Sequence, residues 1–205
     1  MPARTGEQFL KGLRGPRAVW VDGERVADVT DHPKLTGAAH ALAEVYDLHH
    51  KHADICLMPD PETGEPIPVS HMIPRSREDL ARRHKALRQV AEYSVGLMGR
   101  TPDYMNVTYA GFAARPDEWG IAGNEAGAER LVAYQKFLRR NDISLTHTIV
   151  QPTVDKATGD APGPGNVHAL RKIEDTAHGI VVQLAGMAGG DHHRTGHRAF
   201  PRGAL

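Results

Sequence analysis

The chain has 205 residues, 25 Lys plus Arg against 25 Asp plus Glu, and one cysteine. Zero net charge with interleaved signs gives no basic stripe for a polyanion, so nucleic acid is not an expected partner. A lone Cys56 excludes an internal disulfide framework and fits a reducing cytoplasm, and no apolar run is long enough to span a bilayer.

Thr5-Gly6-Glu7-Gln8 predicts a capping box opening a short helix to Leu13. Residues 17–27 then alternate about Asp22-Gly23, a two-residue turn signal for a β-hairpin. From Thr36, the apolar positions Ala38, Ala39, Leu42, Val45, Tyr46 and Leu48 recur at helical spacing and stop at His49-His50-Lys51-His52. Three histidines in four residues raise the question of a metal. Neighbouring helical histidines point to different faces, though, and suit a helix C-terminus, so no metal is assigned. Residues 54–74 hold Pro59, Pro61, Gly64, Pro66 and Pro68 and predict a loop or a ragged hairpin about residues 62–65.

Ser76-Arg77-Glu78-Asp79 caps a long helix predicted over 76–98, with Leu80, Leu87, Val90, Ala91, Val95 and Met98 as its apolar stripe and Gly99 as its stop. Thr101-Pro102 reads as an N-cap and a first-turn proline of the next helix. Arg100 and Tyr104 therefore flank a helix-to-helix corner. A guanidinium fork and a phenol there offer a charged and a neutral donor to an anionic oxygen. The alternative is structural: Arg100 caps a helix and Tyr104 is core.

Residues 107–114 continue the helix, Arg115-Pro116-Asp117 breaks it, and 125–140 form another amphipathic helix. The period then falls to two over 143–150, predicting a strand that carries His147. Residues 152–165 read as a long loop, and 167–174 with 179–184 as a hairpin turning at 175–178. Residues 188–205 lack an apolar period and read as an unstructured tail. The expected division is a helical domain over 1–142, the start of a β domain over 143–187, and the tail.

Gly96-Leu97-Met98-Gly99-Arg100-Thr101-Pro102-Asp103-Tyr104-Met105-Asn106 resembles the signature of the 4-hydroxyphenylacetate 3-hydroxylase family. Arg4-Thr5-Gly6, Val19-Trp20-Val21-Asp22-Gly23-Glu24-Arg25-Val26, Ile73-Pro74-Arg75-Ser76-Arg77-Glu78-Asp79-Leu80 and Asn141-Asp142-Ile143-Ser144-Leu145-Thr146-His147-Thr148 extend the match in order. The resemblance implies a mainly α chain with a following β portion: an acyl-CoA dehydrogenase-like N-terminal helical domain and the first strands of a middle β-barrel domain. It implies the oxygenase component of a two-component monooxygenase, cytoplasmic and a homo-oligomer (dimer or tetramer). Such a component uses reduced FAD from a separate reductase, with O2, to hydroxylate a phenol beside its hydroxyl. Family relatives run on past the matched part, so this chain is expected to be an N-terminal fragment.

Carried over residue by residue, Arg100, Tyr104 and His147 are the implied catalytic residues, and Thr101, Pro102 and Asp103 complete the substrate corner. His147, Thr148, Ile149, Thr153, Val154, Asp155 and Lys156 are the implied flavin contacts. Relatives commonly read Asn-Pro-Gln where this chain has Gln151-Pro152-Thr153, which removes one amide from the expected flavin set. The competing reading is a non-catalytic helical interaction module, a pseudoenzyme with at most weak histidine-dependent metal affinity.

Overall fold

The computed structural model describes residues 3–15, 17–98, 101–145, 171–176, 179–184 and 196–201. The chain divides into two compact units, Met1–His147 and Thr148–Leu205. It is mainly α with a following β portion. Among the described residues no helix is long and apolar enough to cross a membrane.

In the first unit, α1 (Gly6–Leu13) opens with the predicted capping box. The Thr5 hydroxyl accepts from the Gln8 amide, and the Gln8 side chain accepts from the Thr5 amide. This helix lies against α2 (Thr36–Lys51), and Gly6 is what lets them approach. A Cβ at Gly6 would sit 2.5 Å from the Ala43 carbonyl oxygen, and the Gly6 amide donates to Asp47 Oδ1 at 2.8 Å. Phe9 stacks on Tyr46 with ring centroids 5.0 Å apart, beside Ala43. The Arg4 guanidinium lies 5.4 Å from the Tyr46 centroid, over both rings.

Between these helices, β1 (Val19–Val21) and β2 (Glu24–Val26) form the predicted hairpin. Asp22 at φ 52 and Gly23 at φ 83 are both left-handed, as the tight turn that matches strand twist requires. Helix α2 ends within the histidine run, as its sequence predicts, at Lys51 with His52 as the C-cap residue. Its last turn is held by tertiary contacts: His49 is buried, and a His50 ring nitrogen meets the Arg4 carbonyl at 3.0 Å.

The proline-rich stretch is a ragged hairpin. After α3 (Ala53–Cys56), β3 (Leu57–Pro59) pairs antiparallel with β4 (Pro66–Pro68), and a 3₁₀ turn (Val69–His71) follows. Cys56, Val69, Met72 and Ala86 pack into a core, where burial pushes the Cys56 thiol up to about 11. Asp60 ties this hairpin to α7 (Glu125–Asn141). It accepts from the Glu62 and Thr63 amides, and Arg139 Nε reaches Asp60 Oδ2 at 2.6 Å with both side chains buried.

Helix α4 (Arg77–Tyr93) starts on a Ser76–Asp79 capping box, but its far end departs from the sequence reading. The predicted stop at Gly99 is corrected to Ser94, because Val95 turns left-handed (φ 51) and Gly96 follows at φ 71. The Val95 amide donates to the Glu92 carbonyl and the Gly96 amide to the Ala91 carbonyl, the paired bonds of a Schellman stop. Val95 is consequently 82% exposed and drops out of the apolar stripe, as do exposed Leu80 and Ala91; the predicted Val90 is buried, and Ala86 joins it.

Helix α5 (Tyr104–Ala113) begins two residues later than Pro102, with Asp103 as its N-cap residue. The short α6 (Pro116–Trp119) precedes α7, which Asp142 closes in the left-handed conformation at φ 44. Residues 143–145 have no regular structure, so the predicted strand is absent there; 146–150 lie outside the described residues, as does the loop read over 152–165.

In the second unit, β5 (Arg171–Thr176), β6 (Gly179–Leu184) and β7 (Gly196–Pro201) form an antiparallel sheet in that order. Asp175 and Thr176 of the predicted turn belong to β5 instead, where Thr176 pairs with Gly179, and residues 177–178 lie outside the described residues. The expectation of an unstructured 188–205 is corrected over β7, where backbone pairing with β6 supplies order that side-chain periodicity did not signal.

Candidate functional site

The Schellman stop of α4 and the late start of α5 leave a short connection between two helices. Within it, Thr101, Pro102 and Asp103 form one turn, closed by the Tyr104 amide donating to the Thr101 carbonyl at 3.1 Å. The helices diverge around a groove of about 350 Å³, a size in the usual range for small-molecule sites. Leu87, Ala91 and Met98 line one side; Thr101, Tyr104 and Val107 line the other. Tyr104 lines this groove and is 38% exposed. A larger open groove of about 580 Å³ runs along α6 and α7 past Ala128, Val132 and Ala133. Its charged groups, Asp117, Glu125, Glu129 and Lys136, do not include any of the residues singled out by sequence.

Behind the corner lies a closed polar crevice lined by Val45, Tyr46, His49, Pro102, Asp103, Asn106 and Asp142. Asp103 belongs to both spaces. Its side chain is 98% enclosed by exposure, at 2%, and its Oδ1 has no hydrogen-bond partner among the described residues. The same holds for His49 Nδ1, His71 Nε2 and Asn106 Oδ1, all buried. Burial raises the Asp103 carboxyl above its ordinary range, opposed by a hydrogen bond from Thr101 and by nearby His49. Burial also lowers the His49 imidazole, against the pull of Asp142 and Asp103. Asp142 is the structural hub of the crevice. Its Oδ2 accepts from the Arg4 amide at 3.0 Å, its Oδ1 stands 3.8 Å from His71 Nε2, and its carbonyl accepts from the Tyr46 hydroxyl.

Residues 5–189 match the family model "4-hydroxyphenylacetate 3-hydroxylase N terminal". The chain belongs to the 4-hydroxyphenylacetate 3-hydroxylase family. It is 34% identical over 186 residues to the oxygenase component of 4-hydroxyphenylacetate 3-monooxygenase from Thermus thermophilus, covering 90% of this chain and 38% of that protein. It is 33% identical to the oxygenase component of a 4-nitrophenol 4-monooxygenase/4-nitrocatechol 2-monooxygenase from Rhodococcus opacus, covering 88% and 35%. A crystal structure of an oxygenase component of 4-hydroxyphenylacetate 3-monooxygenase, complexed with FAD and 4-hydroxyphenylacetate, superposes with a TM-score of 0.76 at 32% identity. That match covers 88% of this chain and 37% of the other. The chain thus spans under two-fifths of the length of these relatives.

Within this family frame, the structure brings Thr101, Pro102, Asp103 and Tyr104 together at the corner. Pro102 and Asp103 are buried in its wall, while Thr101 and Tyr104 have open surface. Arg100, His147, Thr148, Ile149, Thr153, Val154, Asp155 and Lys156 lie outside the described residues. Among the described residues no three His, Cys, Asp or Glu side chains converge on a metal position. His49, Asn106 and Asp142 went unnoticed as site residues in the sequence. His49 was visible only as one of a histidine run, and its placement behind Asp103 is a tertiary contact across 54 positions with no local signal.

Proposed function

We propose that this chain supplies the phenol-binding corner of the oxygenase component of a two-component, reduced-flavin-dependent monooxygenase that hydroxylates a phenol ortho to its hydroxyl. The observation that carries this reading is the groove between α4 and α5, with Tyr104 on its rim, in a chain of this family. Apolar Leu87, Ala91 and Met98 suit the face of an aromatic ring, and Tyr104, which lines the same groove, is by resemblance a donor to the substrate oxygen. Arg100 and His147 join it by resemblance, as charged or neutral donors to a developing phenolate.

The described groove fits a single ring. The residues assigned to flavin by resemblance (His147, Thr148, Ile149, Thr153, Val154, Asp155 and Lys156) lie outside the described residues. FAD, delivered reduced by a partner reductase, would supply the oxygen-activating chemistry with O2 as co-substrate. The helical part is the substrate-holding domain, the second unit is the start of the flavin-facing β domain, and the working form is a homo-oligomer. No nucleic acid or membrane enters the scheme.

Calorimetric titration of the chain with 4-hydroxyphenylacetate tests the reading. Saturable binding is expected, weakened about tenfold by Tyr104→Phe, the loss of one hydrogen bond to an anionic oxygen at ~1.5 kcal/mol. Absence of binding, or an unchanged affinity in the variant, would remove the corner from the scheme.

A further inference from the structure

A buried carboxyl that walls two spaces at once invites the question of what it exchanges between them. Asp103 lines the groove with Thr101 and Tyr104, and lines the crevice with His49 and Asn106. A Thr101 hydrogen bond reaches its carboxyl, yet Oδ1 has no partner among the described residues. Asn106 Nδ2 donates to Ser70 Oγ at 3.2 Å, which leaves Asn106 Oδ1 as an unmet acceptor. His49 Nδ1 is likewise unmet. Three buried polar atoms therefore share one crevice: Asp103 Oδ1 and Asn106 Oδ1 are acceptors, and His49 Nδ1 is a donor or an acceptor according to its tautomer. Buried groups of this kind are normally paired, so the arrangement calls for a donor.

We infer that Asp103, backed by His49 and Asn106, is the proton-accepting group of the corner groove, taking up through the Thr101 hydroxyl the proton that a bound phenol releases. This rests on the phenol-binding reading above. In the step, the phenol O–H bond breaks and its proton passes to Thr101 Oγ1 as the Thr101 proton passes to the Asp103 carboxylate. The products are a phenolate in the groove and a neutral carboxylic acid in the wall; one proton moves and no redox change occurs. The one O–H of the neutral carboxyl then gives the crevice a donor for one of its acceptors, Asn106 Oδ1 or an unprotonated His49 Nδ1. The transfer also removes a negative charge from a desolvated place. A base whose proton affinity burial has raised is the better matched to a weakly acidic phenol. The other titratable groups facing this pair are His71 and Cys56 towards Asp103, and Asp142, His50 and His71 towards His49.

The test uses 4-nitrophenol, whose phenolate has its own visible absorbance, at a pH where the free probe is neutral. Absorbance reads the ionisation of the bound probe, and calorimetry in buffers of different ionisation enthalpy reads protons released. The wild-type chain should bind the probe as phenolate with no net proton release. Asp103→Asn and Thr101→Val should still bind it, with at least tenfold less phenolate. Should Asp103→Asn fail to fold by circular dichroism, Thr101→Val decides alone. Undiminished phenolate in the folded variants, or one proton released per probe bound by wild type, would overturn the relay and leave the phenol site standing. Absence of probe binding by wild type would overturn the phenol reading and the relay with it.

Discussion

Two buried acids of the helical unit, Asp60 and Asp103, are treated in opposite ways. Asp60 is fully answered: two backbone amides and the Arg139 guanidinium meet its oxygens, and Lys136, Arg139 and Arg140 gather on Glu62 beside it. Burial alone would raise its carboxyl, but the Glu62 and Thr63 amides and then Arg139 hold it below the usual range. Asp103 has burial without an ion pair to Lys or Arg among the described residues; burial raises its carboxyl, against a Thr101 hydrogen bond and His49. The first arrangement fixes a hairpin onto a helix, which is scaffold work. The second holds a charge state in suspense beside a groove. The backbone draws the same contrast: the left-handed residue in the Asp60 hairpin is Gly64 (φ 74), whereas at the end of α4 a valine, Val95 (φ 51), shares that conformation with Gly96 (φ 71). A β-branched residue there is strained, and strain concentrates where a site is being shaped.

The largest effect should come from Arg139→Met, which strands Asp60 as a buried charge. A loss of about 3–5 kcal/mol in urea unfolding is expected. A loss under ~1 kcal/mol would mean the pair is not the scaffold lock. Asp103→Asn should have the opposite sign at neutral pH, a gain of about 1–2 kcal/mol, because it removes an unmet charge and brings an amide donor. If it destabilised as much as Arg139→Met, the two acids would not differ in kind.

Val95→Gly trades left-handed strain of ~1–2 kcal/mol against glycine's entropy of about 0.5–1 kcal/mol. The expected outcome is a gain below ~1 kcal/mol, read as a shifted urea midpoint. A loss would show that Val95 makes contacts that outweigh its backbone.

Acid should separate the two clusters by window. The folded His49 pKa lies below its ordinary 6.5, so below that pH the unfolded chain binds more protons and stability falls. Asp60, lowered from 3.8, gives stability that persists above that value and is lost only as pH falls through the lowered one. His49→Gln should therefore flatten the stability profile just below pH 6.5 and leave the more acidic limb alone. A steep profile retained in that variant would assign the slope to another group.

Much of the helical frame was legible locally. Both capping boxes, the Asp22-Gly23 hairpin and α7 follow from side chains acting on backbone a few residues away. The corner was legible as a place, through its motif, but not in its geometry. Gly99 looked like the stop of α4, yet the stop is the Val95-Gly96 pair, and a valine in a left-handed cap carries no propensity signal. Nor did a polar N-cap residue buried under its own helix announce itself at Asp103, since the same residue type caps helices in solvent.

Residue patterning by itself determined most of the helical element order, because caps, turns and apolar periods depend on near neighbours along the chain; the family was legible through its motif, as a resemblance rather than a spacing. Tertiary structure alone decided which polar groups lost water and which found partners. Asp60 met Arg139 across 79 positions, whereas Asp103 Oδ1 and His49 Nδ1 line one crevice with no hydrogen-bond partner among the described residues. Burial and pairing are properties of the packed interior, where the low dielectric makes a missing partner costly, and no local pattern encodes them.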